Sequence, residues 1–179
     1  MGPKLKKGLT FIEALLYLAI VSFVSFSLVV FAWNVILASE KNNTKQEIYS
    51  QARIVSERIL FEIRNANDIN FADSNFDVDL TTNSNYKLSL ATDAPNNPTL
   101  FYVNNLGILM IKQGSAQAFP LHSNSLKVKS LIFSNFSSAD GKTKHIKYYL
   151  ELEKGSGSSF AYRDLIIMEG SAEVRSNSL

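Results

Sequence analysis

The chain has 179 residues, of which 46% are hydrophobic, and it has no cysteine. Disulfides, thiol nucleophiles, thiolate metal sites and a lipid-modified cysteine are thereby excluded. The formal charge of +2 is unevenly placed. Lys4, Lys6 and Lys7 precede Glu13, and the other 15 basic and 15 acidic side chains, of 18 and 16 in all, lie in residues 40–179. That balanced remainder is no basic footprint for nucleic acid, so no direct nucleic-acid binding is expected.

Residues 14–39 carry no charge, and their polar members are Tyr17, Ser22, Ser25, Ser27, Asn34 and Ser39. As a helix this run spans about 39 Å, against a hydrocarbon core of about 30 Å. It also exceeds the roughly 7–15 apolar residues of a cleaved secretory signal. The preceding lysines predict a single pass through the cytoplasmic membrane. The N-terminus would be in the cytoplasm and the rest of the chain outside.

The helical pattern continues. Ile48, Ala52, Val55, Ile59, Ile63 and Ala66 recur every three or four positions, an apolar stripe on one face. Lys45, Glu47, Arg53, Glu57, Arg58, Glu62 and Arg64 occupy the opposite positions. No Gly or Pro falls between positions 9 and 69, which predicts one helix over residues 9–67, interrupted at most near Asn42-Asn43-Thr44. Only its second half is amphipathic and suited to cover a core.

From residue 67 the composition turns to Asn, Asp, Ser and Thr, a loop signature. Strand patterns follow at 86–91, 99–103, 107–112, 126–136, 144–153 and 160–170. "NNL" between the second and third predicts a hairpin, and Pro120 should end or interrupt a strand. The fold class expected is α+β: a long N-terminal helix, transmembrane in its first half, whose amphipathic half packs on one antiparallel sheet of five or six strands.

Glu13 stands at the mouth of the uncharged run. A carboxylate in mid-bilayer costs at least about 2.5–3.5 kcal/mol, and less near the interface. Read alone, Glu13 is a solvated residue at the membrane edge. Read with its neighbours, "GLTFIEALLYLAIVS" (8–22) after a short basic leader resembles the N-terminus of type IV prepilins and pseudopilins. That resemblance implies cleavage by a prepilin peptidase between Gly8 and Leu9, and N-methylation of Leu9. It also implies a filament in which Glu13 pairs with the Leu9 amine of a neighbouring subunit. Such a pair escapes the penalty that each charge carries alone in lipid. "SQARIVSERILFEIRNANDI" and "TLFYVNNLGILMIK" are similar in plan to the J-type minor pseudopilins and W-type minor pilins. The family most often has phenylalanine where this chain has Leu9, and many major pilins have Gly or Pro in the apolar helix, where this chain has none.

The resemblance implies four segments: a leader (1–8), a transmembrane helix (9–39), its amphipathic continuation (40–68) and a β-rich extracytoplasmic domain (69–179). The expected role is a structural subunit of a type IV pilus or type II secretion pseudopilus. Its partners would be other pilin or pseudopilin subunits, the prepilin peptidase and, before assembly, membrane lipid. The alternative is a signal-anchored binding module that never polymerises. No enzyme is expected: the chain has neither a G-x-S-x-G elbow nor a phosphate-binding G-x-x-x-x-G-K-[ST] loop. His122 and His145 lack metal-site spacing, and no cofactor is expected. Asp77 and Asp79 carry oxygens suited to calcium, but two aspartates in a polar loop are ordinarily solvated.

Overall fold

The computed structural model describes residues 10–154 and 164–175. The chain divides into two units, Met1–Asn42 and Asn43–Leu179. Helix α1 runs Phe11–Asn65 and is not broken at Asn42-Asn43-Thr44. Its interior has no Gly or Pro, and Asn42, Asn43 and Thr44 are only mildly unfavourable in a helix, so nothing in the local chemistry stops it.

In the first unit α1 is exposed from end to end and uncharged from residue 14 to residue 39. In the second, the stripe read from the sequence is buried in full: Ile48, Ala52, Val55, Ile59, Ile63 and Ala66 all lie in the core. Each large member contributes about 1.5–3 kcal/mol through burial. Two positions depart from the simple stripe. Ser56 is buried because its hydroxyl meets the hydroxyl of buried Tyr148. Glu62 was expected on the polar face but is only 4% exposed. Arg58 pairs with it at 2.6 Å, and the Gln113 amide donates to the same carboxylate oxygen at 3.1 Å. Burial pushes the Glu62 carboxyl up, against the pull of Arg58 and Gln113.

One antiparallel sheet was expected; there are two. The first is a meander of β1 (Asp68–Ile69), β2 (Lys87–Ala91), β3 (Thr99–Val103), β4 (Leu109–Gln113) and β5 (Phe119–Pro120), each beside the next. The second is β6 (Leu126–Asn135), β7 (His145–Lys154) and β8 (Asp164–Glu173). The break falls where β5 is only two residues long and carries Pro120, which has no N–H to continue a ladder. The amphipathic half of α1 reaches both sheets, through Gln113 of β4 and Tyr148 of β7. The architecture is α+β, with helix and antiparallel sheets sharing one core.

Local rules explain most of the register. The β3–β4 hairpin turns on Asn104, whose side-chain oxygen accepts the N–H groups of Leu106 and Ile108. Gly107 supplies the positive φ of +76° that the turn needs. β6 buries Leu126 and Val128, then Leu131 and Phe133, and a bulge between Val128 and Ser130 absorbs the change of phase. The loop over 70–80 seals the outer side of β2, where buried Ser89 bonds Ser74 and Asn70.

His122 is buried as a structural acceptor. Its Nε2 accepts the Leu109 N–H at 3.0 Å, so Nδ1 carries the proton and donates to the Ser123 carbonyl at 3.0 Å. Burial lowers its pKa, against the pull of Ser123. The unfolded chain therefore takes up this proton first as pH falls. The contribution is complete above the ordinary value of about 6.5 and is lost as pH drops through the lowered folded value. In an NMR titration His122 is expected to titrate below His in a model peptide. A value at or above the peptide's would contradict the neutral, accepting imidazole.

Candidate functional site

The charge at the start of α1 is the feature to explain. Gly8 and Leu9, the expected cleavage and methylation positions, lie outside the described residues. Glu13 lies inside them, in the first turn of α1 and exposed. A carboxylate there is favoured by the helix dipole, by about 0.3–1 kcal/mol.

Thr10 supplies a local partner that the sequence reading missed. Its hydroxyl accepts the backbone N–H of Glu13 at 3.3 Å, and its carbonyl accepts the N–H of Ala14 at 3.1 Å. Thr10-Phe11-Ile12-Glu13 thus has the spacing of a capping box, with the threonine half formed. The signal was present as T-x-x-E before an apolar run. The bond uses the backbone of residue 13, so the Glu13 carboxylate remains available to another group.

Beyond Glu13, α1 carries no charged side chain until Glu40. It is the one helix among the described residues long and apolar enough to cross a membrane, a test that a signal sequence also passes. Ser22 donates its hydroxyl to the Leu18 carbonyl at 2.7 Å, which satisfies a polar group without water. Tyr17 and Trp33, both exposed, are 16 positions apart, about 24 Å along a helix axis. Aromatic rings with polar tips at such a separation suit the two edges of a hydrocarbon layer.

The other candidates from the sequence have structural employment. Asp79 accepts the Thr81 N–H and hydroxyl and the Leu131 N–H through one carboxylate oxygen, at 2.9, 2.8 and 3.1 Å. Burial pushes its carboxyl up, but these donors and Ser130 prevail and hold it below the usual range. It thereby fastens the loop over 77–80 to β6, where Asp79 also bridges Ile132. Asp77 takes a φ of +57° in the same loop. Among the described residues no three His, Asp or Glu side chains converge on a point where a metal could sit. Of the aromatic residues on and beside the second sheet, Phe133 of β6 and Tyr148 of β7 are core residues, and Phe136, just past β6, is exposed.

Comparison of the chain with protein-family models, with curated proteins and with solved structures returned no match.

Proposed function

We propose that this chain is a minor pilin or pseudopilin, a non-catalytic structural subunit of a type IV pilus or type II secretion pseudopilus. The observation that carries the reading is Glu13: one carboxylate in the first turn of a helix that then runs uncharged to Glu40. The resemblance of residues 8–22 to the prepilin motif gives that carboxylate a task. A prepilin peptidase removes residues 1–8, which leaves a cationic amine on Leu9, and methylation of that amine preserves the charge. In a filament the Leu9 amine of one subunit pairs with Glu13 of the next. The pair sets the axial stagger of the helices, as buried polar groups set register in coiled coils. Before assembly the same helix sits in the cytoplasmic membrane with the β-rich unit outside. The β-rich unit that follows the helix suits the J-type and W-type minor subunits, whose β-rich domain is longer than the major subunit's.

The second reading, a signal-anchored binding module, is favoured by Thr10. The cap fixes the start of the helix at Thr10, where the helix dipole favours a first-turn carboxylate such as Glu13 without any neighbour.

Zero-length carbodiimide cross-linking of filaments built from two isotopically distinct forms of the chain separates the two. The pilin reading predicts a mixed-isotope peptide that joins the Leu9 amine to Glu13 of another copy or of a companion subunit. Filaments that yield no cross-link at Glu13 would remove the pair.

A further inference from the structure

Sheet β6–β7–β8 has two edges of opposite character. The β6 edge is closed. Val128 donates to the Gly107 carbonyl at 2.8 Å, Leu80 to the Leu131 carbonyl at 2.8 Å, and Asp77 to the Phe133 carbonyl at 2.8 Å. Asp79 takes the Leu131 N–H on its carboxylate.

The β8 edge is open. β8 pairs with β7 in unbroken register, from Asp164 opposite Lys154 to Glu173 opposite His145. Among the described residues no strand pairs with its other side. Alternate N–H and C=O groups along β8 therefore point away from the sheet without a strand to receive them, and the Leu165 N–H is accepted locally by the Asp164 carboxylate at 3.2 Å. Folded proteins guard such an edge with proline, a bulge, charged side chains or a very short strand. β8 has no proline and no bulge and runs ten residues; its guards are all acidic, which turns away an acidic strand and admits a basic one.

The side chains define what fits. Leu165 and Ile167 are 45% and 50% exposed, on the same outward face as Glu169 and Glu173. Every charged residue of β8 is acidic: Asp164, Glu169 and Glu173. Lys147 meets Glu169 at 2.8 Å. The opposite face of β8 presents Ile166, Met168 and Ala172 toward the core.

We infer that β8 is a docking edge for an extended segment of another protein chain, one with basic residues opposite Glu169 and Glu173 and apolar residues opposite Leu165 and Ile167. Added as a fourth strand, that segment bonds the outward backbone groups of β8 beyond Leu165, while its side chains are selected by the apolar-to-acidic gradient. A second copy fits badly. Its β8 would bring three acidic residues against three, and its β6 edge is already closed. The inference stands apart from the role of Glu13, and its failure leaves that role untouched.

The test uses the full chain in detergent micelles and a fluorescein-labelled peptide, Lys-Val-Ser-Val-Lys-Val-Val-Thr-Val, laid antiparallel to β8. Saturable binding by anisotropy is expected, with slowed amide exchange confined to β8. Affinity should fall at least tenfold when alternate peptide nitrogens are methylated, and equally when glutamates replace the peptide lysines. The Leu165→Lys/Ile167→Lys variant should show the same loss. Both side chains are half exposed, and near-UV circular dichroism reports whether the fold is kept. Glu173→Lys is the milder second variant. Absence of saturable binding would overturn the inference. So would equal affinity for the N-methylated peptide, or dimerisation of the protein alone that Leu165→Lys/Ile167→Lys abolishes.

Discussion

Glu13→Ala is expected to leave removal of residues 1–8 intact and to lower recovery of the chain in sheared filaments by at least about tenfold. The size follows from what the substitution would strand. A buried charge that loses its partner costs roughly 3–5 kcal/mol, and under the proposed pairing the charge left behind would be the Leu9 amine of the neighbouring subunit. The start of the helix itself should survive. Thr10 receives the backbone N–H of residue 13, which alanine retains. Only the dipole contribution, about 0.3–1 kcal/mol, is lost locally. Thr10→Val supplies the converse. It removes the cap, for about 0.5–2 kcal/mol of helix stability, and leaves the carboxylate in place. If the charge pair governs assembly, Glu13→Ala is the severe change and Thr10→Val the mild one. Comparable loss in both would return Glu13 to the role of a helix-end residue.

The second large effect is expected inside the β-rich unit. Gly114, at the end of β4, has a φ of +55°, and a Cβ there would lie 2.0 Å from the Pro95 carbonyl oxygen. Two separate penalties follow. The left-handed backbone alone costs a non-glycine residue about 1–2 kcal/mol. The contact cannot be relieved by a side-chain rotation, because the opposing atom belongs to the backbone, so one loop must move. Gly114→Ala is therefore expected to cost roughly 3 kcal/mol or more, on the order of 10 °C in melting temperature for a unit of this size. Gly141 isolates the first penalty: its φ is +70° and nothing lies within 4 Å of the site of its Cβ. Gly141→Ala should cost about 1 kcal/mol. Thermal unfolding of both variants in micelles decides the point. Equal melting temperatures would mean that the Pro95 loop yields freely.

The sequence was most readable where one local rule acts alone. The stripe from Ile48 to Ala66 follows the helical period, and packing selects that period directly. The β3–β4 hairpin was readable from Asn104-Asn105-Leu106-Gly107, because a turn with a side-chain acceptor and a glycine needs no distant partner. The bulge in β6 also has a local sign, the slip in phase between Val128 and Leu131, but the expectation of one plain strand over 126–136 passed over it. What could not be read was pairing at a distance. Pro120 marked the end of β5 locally, but that β6 starts a second sheet depends also on its closure by the 77–80 loop, which has no local signature. Glu62 looked like a surface charge since its companions Arg58 and Gln113 come from the next helical turn and from β4. His122 gave no sign that the Leu109 N–H would find it. At the candidate site, the position of Glu13 in the first turn of a long uncharged helix was readable, and the Thr10 cap was readable but passed over. Gly8 and Leu9 lie outside the described residues, so their part rests on the prepilin-like motif.

The proposed role turns on one bond, that between Gly8 and Leu9. The most direct measurement is the intact mass of the full chain expressed in a membrane with and without an active, matched prepilin peptidase. The account predicts that the peptidase removes the mass of residues 1–8, and that the remaining chain begins at Leu9 and carries one methyl group where the enzyme also methylates. An unprocessed chain beside a fully processed control pilin would contradict it, and would leave an anchored module whose Glu13 serves only the start of its own helix.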